Sequence, residues 1–472
     1  MGQVVLAGEQ PASQLLHGLL LGAVREFPSA LSQAQLPQDP AAFRRDYPQC
    51  LPRFEACRLA ALECDEIAAA LVNGFNQSLQ WQTETGIQTL ADALTEVCAA
   101  LPLQQHRFAA APGWRPRLRY QQRDWGSEEL TQLAEILAAR GLISSAAAAA
   151  LDWVAGHTAA TGKVSLVGRK IAVLGAAAEM APTRHWLQAG AEVLWLDTQP
   201  PPAEWFDAAD LSGVLYWPES PVNLLTQPQA LLATLVAFAA GQPLDLGLYA
   251  YAPGQAREVK LTGVMNALVD AMPPALIASV TLLVSPTTPT ALTELDREAM
   301  QQRLQRRPLW EATLAAMGLL GRSEGAATVH GSAGEGCATQ TVVGIQGASY
   351  QAAQYLAKVL TAAQWMRRGA FRVSANTAAI TRTRSLSHPV FNAAFGGAGA
   401  FGIETMTPAQ SRCLNGLLSV HDWLSAQSSA PGAARIHGGI HTLPYALEAA
   451  LRVAASLGFA RNPRLLAGLL KR

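Results

Sequence analysis

The chain has 472 residues, of which 50% are hydrophobic and 15% charged, and its 35 Lys+Arg balance its 35 Asp+Glu. That length exceeds one average domain and allows a sizeable core, while the absence of a basic excess argues against a nucleic-acid partner. The longest early apolar run, LLHGLLLGAV, falls far short of the roughly 20 residues of a membrane-spanning helix. It also lacks the basic start and cleavage site of a signal peptide, so a cytoplasmic protein with no membrane span is expected. The six cysteines (Cys50, Cys57, Cys64, Cys98, Cys337, Cys413) show no CxxC and no zinc-ligand spacing, so no metal site is expected.

Residues 1–165 read as an all-α N-terminal domain. FEACRLAALECDEIAAALVNGF and SEELTQLAEILAARGLISSAAAAALDWVAGH place apolar residues three and four apart and are rich in Ala, Leu and Glu. Ser127 stands where a helix N-cap is expected. The segment between them, LPLQQHRFAAAPGWRPRLRYQQRDW, is broken by prolines and reads as irregular.

From Val164 short apolar strands alternate with helices. RKIAVLG, EVLWLD, LSGVLYW, LDLGLYAY, ASVTLLVSP and AFRVSANTAAI read as strands, with helices around APTRHWLQAG, QALLATLVAFAAG, VKLTGVMNALVDAM and YQAAQYLAKVLTAAQWMRRG. The alternation implies an α/β fold, a Rossmann-like doubly wound parallel sheet over 166–430. Such sheets bind ligands at the carboxyl ends of their strands. Residues 431–472 read as a loop and a closing helix.

The stretch KIAVLGAAAEMAPTRHWLQAGAEVLWLD, 170–197, has the frame of a strand, turn, helix and second strand. Gly175 and the small Ala176, Ala177 and Ala178 permit close approach of a pyrophosphate, and Pro182 suits a first helical position. Glu179 opposes an anion there unless it turns away or is met by Arg184. Asp197 either accepts the adenosine ribose hydroxyls or starts the turn into TQPPP. With no arginine just after it, NAD is favoured over NADP.

The order of elements, with FRVSANTAAITRTRS after a long Tyr-bearing helix, resembles the short-chain dehydrogenase/reductase superfamily over roughly residues 168–425. The resemblance implies that Ser285 holds a substrate carbonyl, Tyr350 donates the proton, and Thr383 contacts the nicotinamide end. Hydride delivery builds charge on oxygen, which such a hydroxyl pair would hold and protonate. The family's lysine, four residues after the tyrosine, is Gln354 here, and Lys358 lies one turn further on. On an α-helix Lys358 points about 80° away from Tyr350, so it contributes only by reaching back with its flexible stem. The alternative for Tyr350 is an ordinary helix aromatic packed on the sheet.

Between Ser285 and Tyr350 lies an insertion, about 289–345, read as a lid over a bulky substrate or as a dimerisation arm. It contains TELDREAMQQRLQRRPLWEATLAAMGLL, read as helical, and the glycine-rich loop GSAGEGCATQ, which lacks the GK[ST] of a P-loop and whose Cys337 reads as a bystander thiol. In the tail, His437 and His441 are four apart, but Gly438 and Gly439 argue against a zinc-binding helix. His437, His441 and Tyr445 read instead as pocket-lining residues. Arg382 and Arg384, in RTRSLSH, either bind an anionic group such as a carboxylate or a carrier phosphate, or form a solvated face.

The combined expectation is an NAD(P)(H)-dependent oxidoreductase acting on a carbonyl or hydroxyl of a bulky, partly apolar small-molecule or carrier-bound substrate, possible also as a homo-oligomer. The alternatives are a catalytically degenerate Rossmann-like binding or scaffold subunit, and a methyltransferase.

Overall fold

A computed structural model describes residues 2–254, 256–321, 325–384, 389–425 and 434–465. Six apolar runs, each buried over most of its length, build the interior of one sheet: β2 (Lys170–Leu174), β3 (Glu192–Leu196), β4 (Val214–Pro218), β5 (Leu244–Leu248), β6 (Ile277–Val284) and β7 (Arg372–Thr377). A seventh strand, β1 (Leu103–Arg107), lies at the edge. The sheet order is β7-β6-β5-β2-β3-β4-β1. Strands β2 to β7 run parallel, and β1 pairs antiparallel with β4. Counted along the chain, the six parallel strands therefore lie 3-2-1-4-5-6. The strand order reverses between β2 and β5, where an open α/β sheet leaves a crevice at its carboxyl edge.

Successive residues of a strand face opposite sides of a sheet, and here they enter different cores. Ala172 and Leu174 join one core with Leu16, Phe43, Phe54 and Phe75, whereas Ile171 and Val173 join another with Leu133, Leu151, Leu414 and Leu417. Residues ahead of β2 thus supply apolar cover to both faces of the sheet. This is why the segment is amphipathic.

The first 165 residues are not all-α. Gln3–Leu6, Leu79–Thr83 and Gly86–Thr89 form a three-stranded antiparallel sheet, β1 extends the central sheet, and Arg117–Tyr120 pairs with Arg123–Gly126. The stretch expected to be irregular thus holds three strands. In RLRY the residues alternate exposed and buried, a period-2 signal masked by the flanking prolines. Its hairpin turn is Gln121-Gln122, both with positive φ (50° and 61°), where Asn-Gly is the recognisable pair. Each long helical run is also split, the first into Pro40–Leu59 and Cys64–Ser78, the second into Leu130–Ala139 and Ser145–Thr158. Ser127 caps no helix: its hydroxyl donates to the Gly162 carbonyl at 3.2 Å and opens a 3-10 turn.

The insertion forms helices Glu294–Gln305 and Leu309–Ala316 and a hairpin, Ala326–Gly331 with Gly334–Thr339. The glycine-rich run expected to be a loop is thus a strand. A Cβ on Gly336 would stand 2.0 Å from the Ala56 carbonyl oxygen, so the glycine lets the hairpin lie directly on helix Pro40–Leu59. Arg435, fully buried, pairs with Asp296 and donates to the Ala291 carbonyl, anchoring the insertion to the C-terminal loop. The closing helix is Leu447–Arg461. Among the described residues no helix is long and apolar enough to cross a membrane.

Candidate active site

A cavity of about 770 Å³ opens at the carboxyl ends of β2, β5, β6 and β7. Its walls come from the segments that follow those strands: Ala177 to Met180, Tyr249 to Pro253, Ser285 to Thr287 and Ala378 to Thr381. Helix 348–368 closes it with Ser349, Tyr350, Gln354 and Lys358.

Ser285 directly follows β6, with its main-chain N–H donating to Gln354 Oε1 at 2.9 Å. Its hydroxyl is 2.8 Å from that of Thr287, which donates to Gln346 Oε1 at 2.7 Å. The chain therefore runs from Ser285 to Thr287 to Gln346, because Thr287 has one proton and gives it to the amide. Tyr350 sits in the first turn of helix Ala348–Gln354, edge-on to Tyr251 with ring centroids 6.3 Å apart. Burial pushes the Tyr350 phenol above its usual pKa; a hydrogen bond shared with Ser285 opposes the shift, and the nearby Glu258 adds to it. A phenol so placed keeps its proton at neutral pH and suits a donor role.

Lys358 does not point away from Tyr350. Residues Tyr355–Leu360 form a π-helical segment within the long helix. A π turn closes i→i+5 bonds and absorbs one residue more than an α turn. The eight residues from Tyr350 to Lys358 then count as about seven at roughly 100° each, which returns Lys358 to within about 20° of the same face. Neighbours hold the widened turn. Asn266 Nδ2 donates to the Ala357 carbonyl at 2.6 Å, and the Tyr355 hydroxyl donates to Glu55 Oε2 at 2.7 Å. The Lys358 amine donates to the Leu283 carbonyl at 2.8 Å, and burial lowers its pKa to about 8.

In the first turn, Gly175 has φ 87°, and a Cβ there would lie 2.2 Å from the Ala250 nitrogen. The glycine is demanded by the neighbouring chain after β5, and it does not border the cavity, whereas Ala177 and Ala178 do. Asp197 braces this turn: its Oδ2 accepts from Ala177 N and its Oδ1 from Gln199 N, each at 3.0 Å. It lies outside the cavity wall. Arg184 is turned to Asp210 at 2.6 Å and stands over the Trp205 ring. Glu179, which borders the cavity, is met instead by Arg384.

Thr383 and Arg384 reach the cavity edge. Arg382 does not, since its Nε donates to Thr405 at 2.7 Å. Ser385 to His388 of the same motif lie outside the described residues. His437 and His441 are buried and stacked, 4.9 Å between centroids, away from the cavity. Gly439 N donates to His437 Nδ1 at 3.2 Å and His441 Nε2 donates to the Pro286 carbonyl at 2.9 Å, so the pair buttresses the cavity wall from behind. Tyr445 belongs to a third core with Leu443 and Phe401. The insertion is no lid here: of 289–345 only Ile345 borders the cavity, since the rest is anchored on the N-terminal helices and the C-terminal loop.

Among the wall residues, Tyr251, Glu258, Thr287 and Gln346 carry polar chemistry that the sequence did not reveal. Glu258 accepts from Gly254 N at 3.2 Å and from the Ser349 hydroxyl at 3.1 Å. Its place in the first turn of helix Arg257–Ala271 was the available signal. Cys337 is buried, and desolvation pushes its thiol up, away from nucleophile chemistry. Among the described residues no group of three or more His, Cys, Asp or Glu could hold a metal ion. Neither protein-family models nor curated proteins gave a match to the chain.

Proposed function

We propose that the protein is an oxidoreductase of the short-chain dehydrogenase/reductase type, moving a hydride between a nicotinamide dinucleotide and a carbonyl or hydroxyl of a bulky, partly apolar substrate. The observation that carries this reading is the meeting of Ser285, Tyr350 and Lys358 in one cavity at the carboxyl ends of the sheet. The 3-2-1-4-5-6 strand order supports a Rossmann-like assignment, in which dinucleotides lie across the reversal point.

The residues present fit such a cofactor. Ala177 and Ala178 are small and border the cavity, and Arg384 neutralises Glu179, which would otherwise repel a pyrophosphate beside them. Asp197 spends lone pairs on Ala177 N, Gln199 N and the Thr198 hydroxyl, leaving its carboxylate with capacity for a ribose hydroxyl. Thr383 would meet the nicotinamide end, and NAD is preferred because no arginine directly follows Asp197. The cofactor supplies or accepts the hydride. Tyr350 gives its retained proton to the oxygen as charge develops, while Ser285 turns its hydroxyl from Thr287 to that oxygen. Gln354 fixes Ser285 by holding its N–H. Stabilisation of this kind is strongest in a water-poor cavity.

Fluorescence titration with NADH and NADPH tests the reading on the wild type and on Asp197→Asn, which preserves an acceptor for the turn. Micromolar NADH binding, weakened at least tenfold in the variant, is expected; no binding of either nucleotide would defeat the proposal. A binding-only subunit is the second reading, favoured by Gln354, which stands in the family's lysine position and is tied to the Ser285 backbone. That reading predicts nucleotide binding without turnover across a panel of ketones, aldehydes and alcohols.

A further inference from the structure

We propose that Lys358 is an amine nucleophile that condenses with aldehydes or ketones entering the cavity, an activity beyond hydride transfer and independent of it. In the step, the neutral amine adds to the carbonyl carbon. The carbinolamine then loses its oxygen and the two amine hydrogens as water, leaving a C=N bond to Nζ. No oxidant or second reactant is needed, and hydrolysis returns the lysine.

The first support is residue choice. Only five of the 35 basic residues are lysines: Lys163, Lys170, Lys260, Lys358 and Lys471. Where this chain buries a lasting charge it uses arginine with a carboxylate, as in Arg58 with Glu55 and Arg435 with Asp296. Arginine keeps its proton in proteins, whereas a buried lysine readily gives it up. Among the described residues, Lys358 is the lysine that borders the cavity.

The second support is the partner. The Lys358 amine donates to a main-chain carbonyl, that of Leu283, and among the described residues no carboxylate pairs with it. A neutral amine still has a proton to donate to that carbonyl, so the hydrogen bond survives loss of the charge. Burial of the amine is what lowers its pKa.

The third support is direction. The π-helical segment Tyr355–Leu360 turns Lys358 to the face that carries Tyr350, and the hydroxyls of Tyr350 and Ser285 border the same space. Those hydroxyls can pass a proton to the departing carbinolamine oxygen. A π turn inside an α-helix is uncommon and often marks a functional position.

The test uses the full-length wild-type protein with propionaldehyde and sodium cyanoborohydride at pH 7, followed by peptide mass mapping at successive times. At this pH the free-amine fraction is roughly 10% for a pKa near 8 and well under 0.1% for an ordinary lysine. Propylation at Lys358 is therefore expected on the order of a hundredfold faster than at Lys163, Lys170 or Lys260. Equal rates at all lysines, or a Lys358 that stays unmodified while the others react, would overturn the proposal. No dinucleotide is present, so the result stands apart from the NADH titration.

Discussion

Replacing Lys358 with methionine should stabilise the protein at pH 7, and the gain should vanish as the pH rises. The folded pKa of Lys358 is about 8, below the ordinary 10.5. Between those values the unfolded chain binds more protons than the folded one, so the lysine's destabilising effect is complete below about pH 8 and disappears above 10.5. The shift corresponds to about 3 kcal/mol at neutral pH, an upper bound because the side chain borders a cavity that water reaches. Methionine has similar length and no charge, but it forfeits the hydrogen bond to Leu283, worth about 1 kcal/mol. A net gain of about 2 kcal/mol at pH 7 should therefore become a loss of about 1 kcal/mol near pH 11. Paired urea unfolding curves at pH 7, 8, 9 and 10.5 measure the difference between variant and wild type. A difference independent of pH, or a variant less stable at pH 7, would refute the reasoning.

The remaining predictions concern the donor, the first turn, the buried histidines and the N-terminal brace. Tyr350→Phe should lower turnover of a carbonyl substrate by 10²–10⁴-fold while NADH affinity and unfolding midpoint stay unchanged; full activity would remove Tyr350 from the chemistry. Gly175→Ala should cost at least about 3 kcal/mol, from a positive φ and a Cβ at 2.2 Å from Ala250 N, and a wild-type denaturant midpoint would contradict this. Burial lowers the pKa of His185 to about 4, of His437 to about 3 and of His441 well below the ordinary 6.5. All three stay neutral in the fold while the unfolded chain takes up protons, so stability should fall below pH 6.5 at up to about 4 kcal/mol per pH unit. A flat stability profile between pH 6.5 and 4.5 would count against it, and His185→Phe, which keeps the stack on Trp114, should lower the slope by about a third. Glu55→Gln leaves Arg58 buried without its charge partner and should cost about 3–5 kcal/mol in urea unfolding; a cost under 1 kcal/mol would show the pair to be dispensable.

The alternation of apolar strands with helices was legible because interior parallel strands such as LDLGL need hydrophobic residues on both faces. Ser285, Tyr350 and Thr383 were legible through the order of elements, and all three border the cavity. Asp197 was ambiguous for a physical reason: a carboxylate at a strand end can bind a ligand or brace a turn, and here it takes the N–H groups of Ala177 and Gln199. Arg184 could not be assigned because its partner, Asp210, is distant in sequence. The histidine pair was misplaced because spacing says nothing about which side of a wall a loop occupies. The strands of the first 165 residues were hidden by prolines and by a Gln-Gln turn. The orientation of Lys358 was out of reach, since eight residues give one angle on an α-helix and another across a π turn.

What sets that angle lies partly at the other end of the chain. Tyr355 opens the π segment, and its hydroxyl donates to the same Glu55 oxygen that accepts from Arg58 Nε at 2.7 Å. Arg58 reaches on to the Cys64 carbonyl at 3.1 Å, so helices Pro40–Leu59 and Cys64–Ser78 are fastened to the helix that carries Lys358. Fully buried ions are retained only where they are paired and hydrogen-bonded, and these are. The N-terminal segment therefore acts on the cavity without touching it at Lys358. It shares the core beneath one face of the sheet, and it holds the widened turn that brings a neutral-prone amine onto the same side as Tyr350.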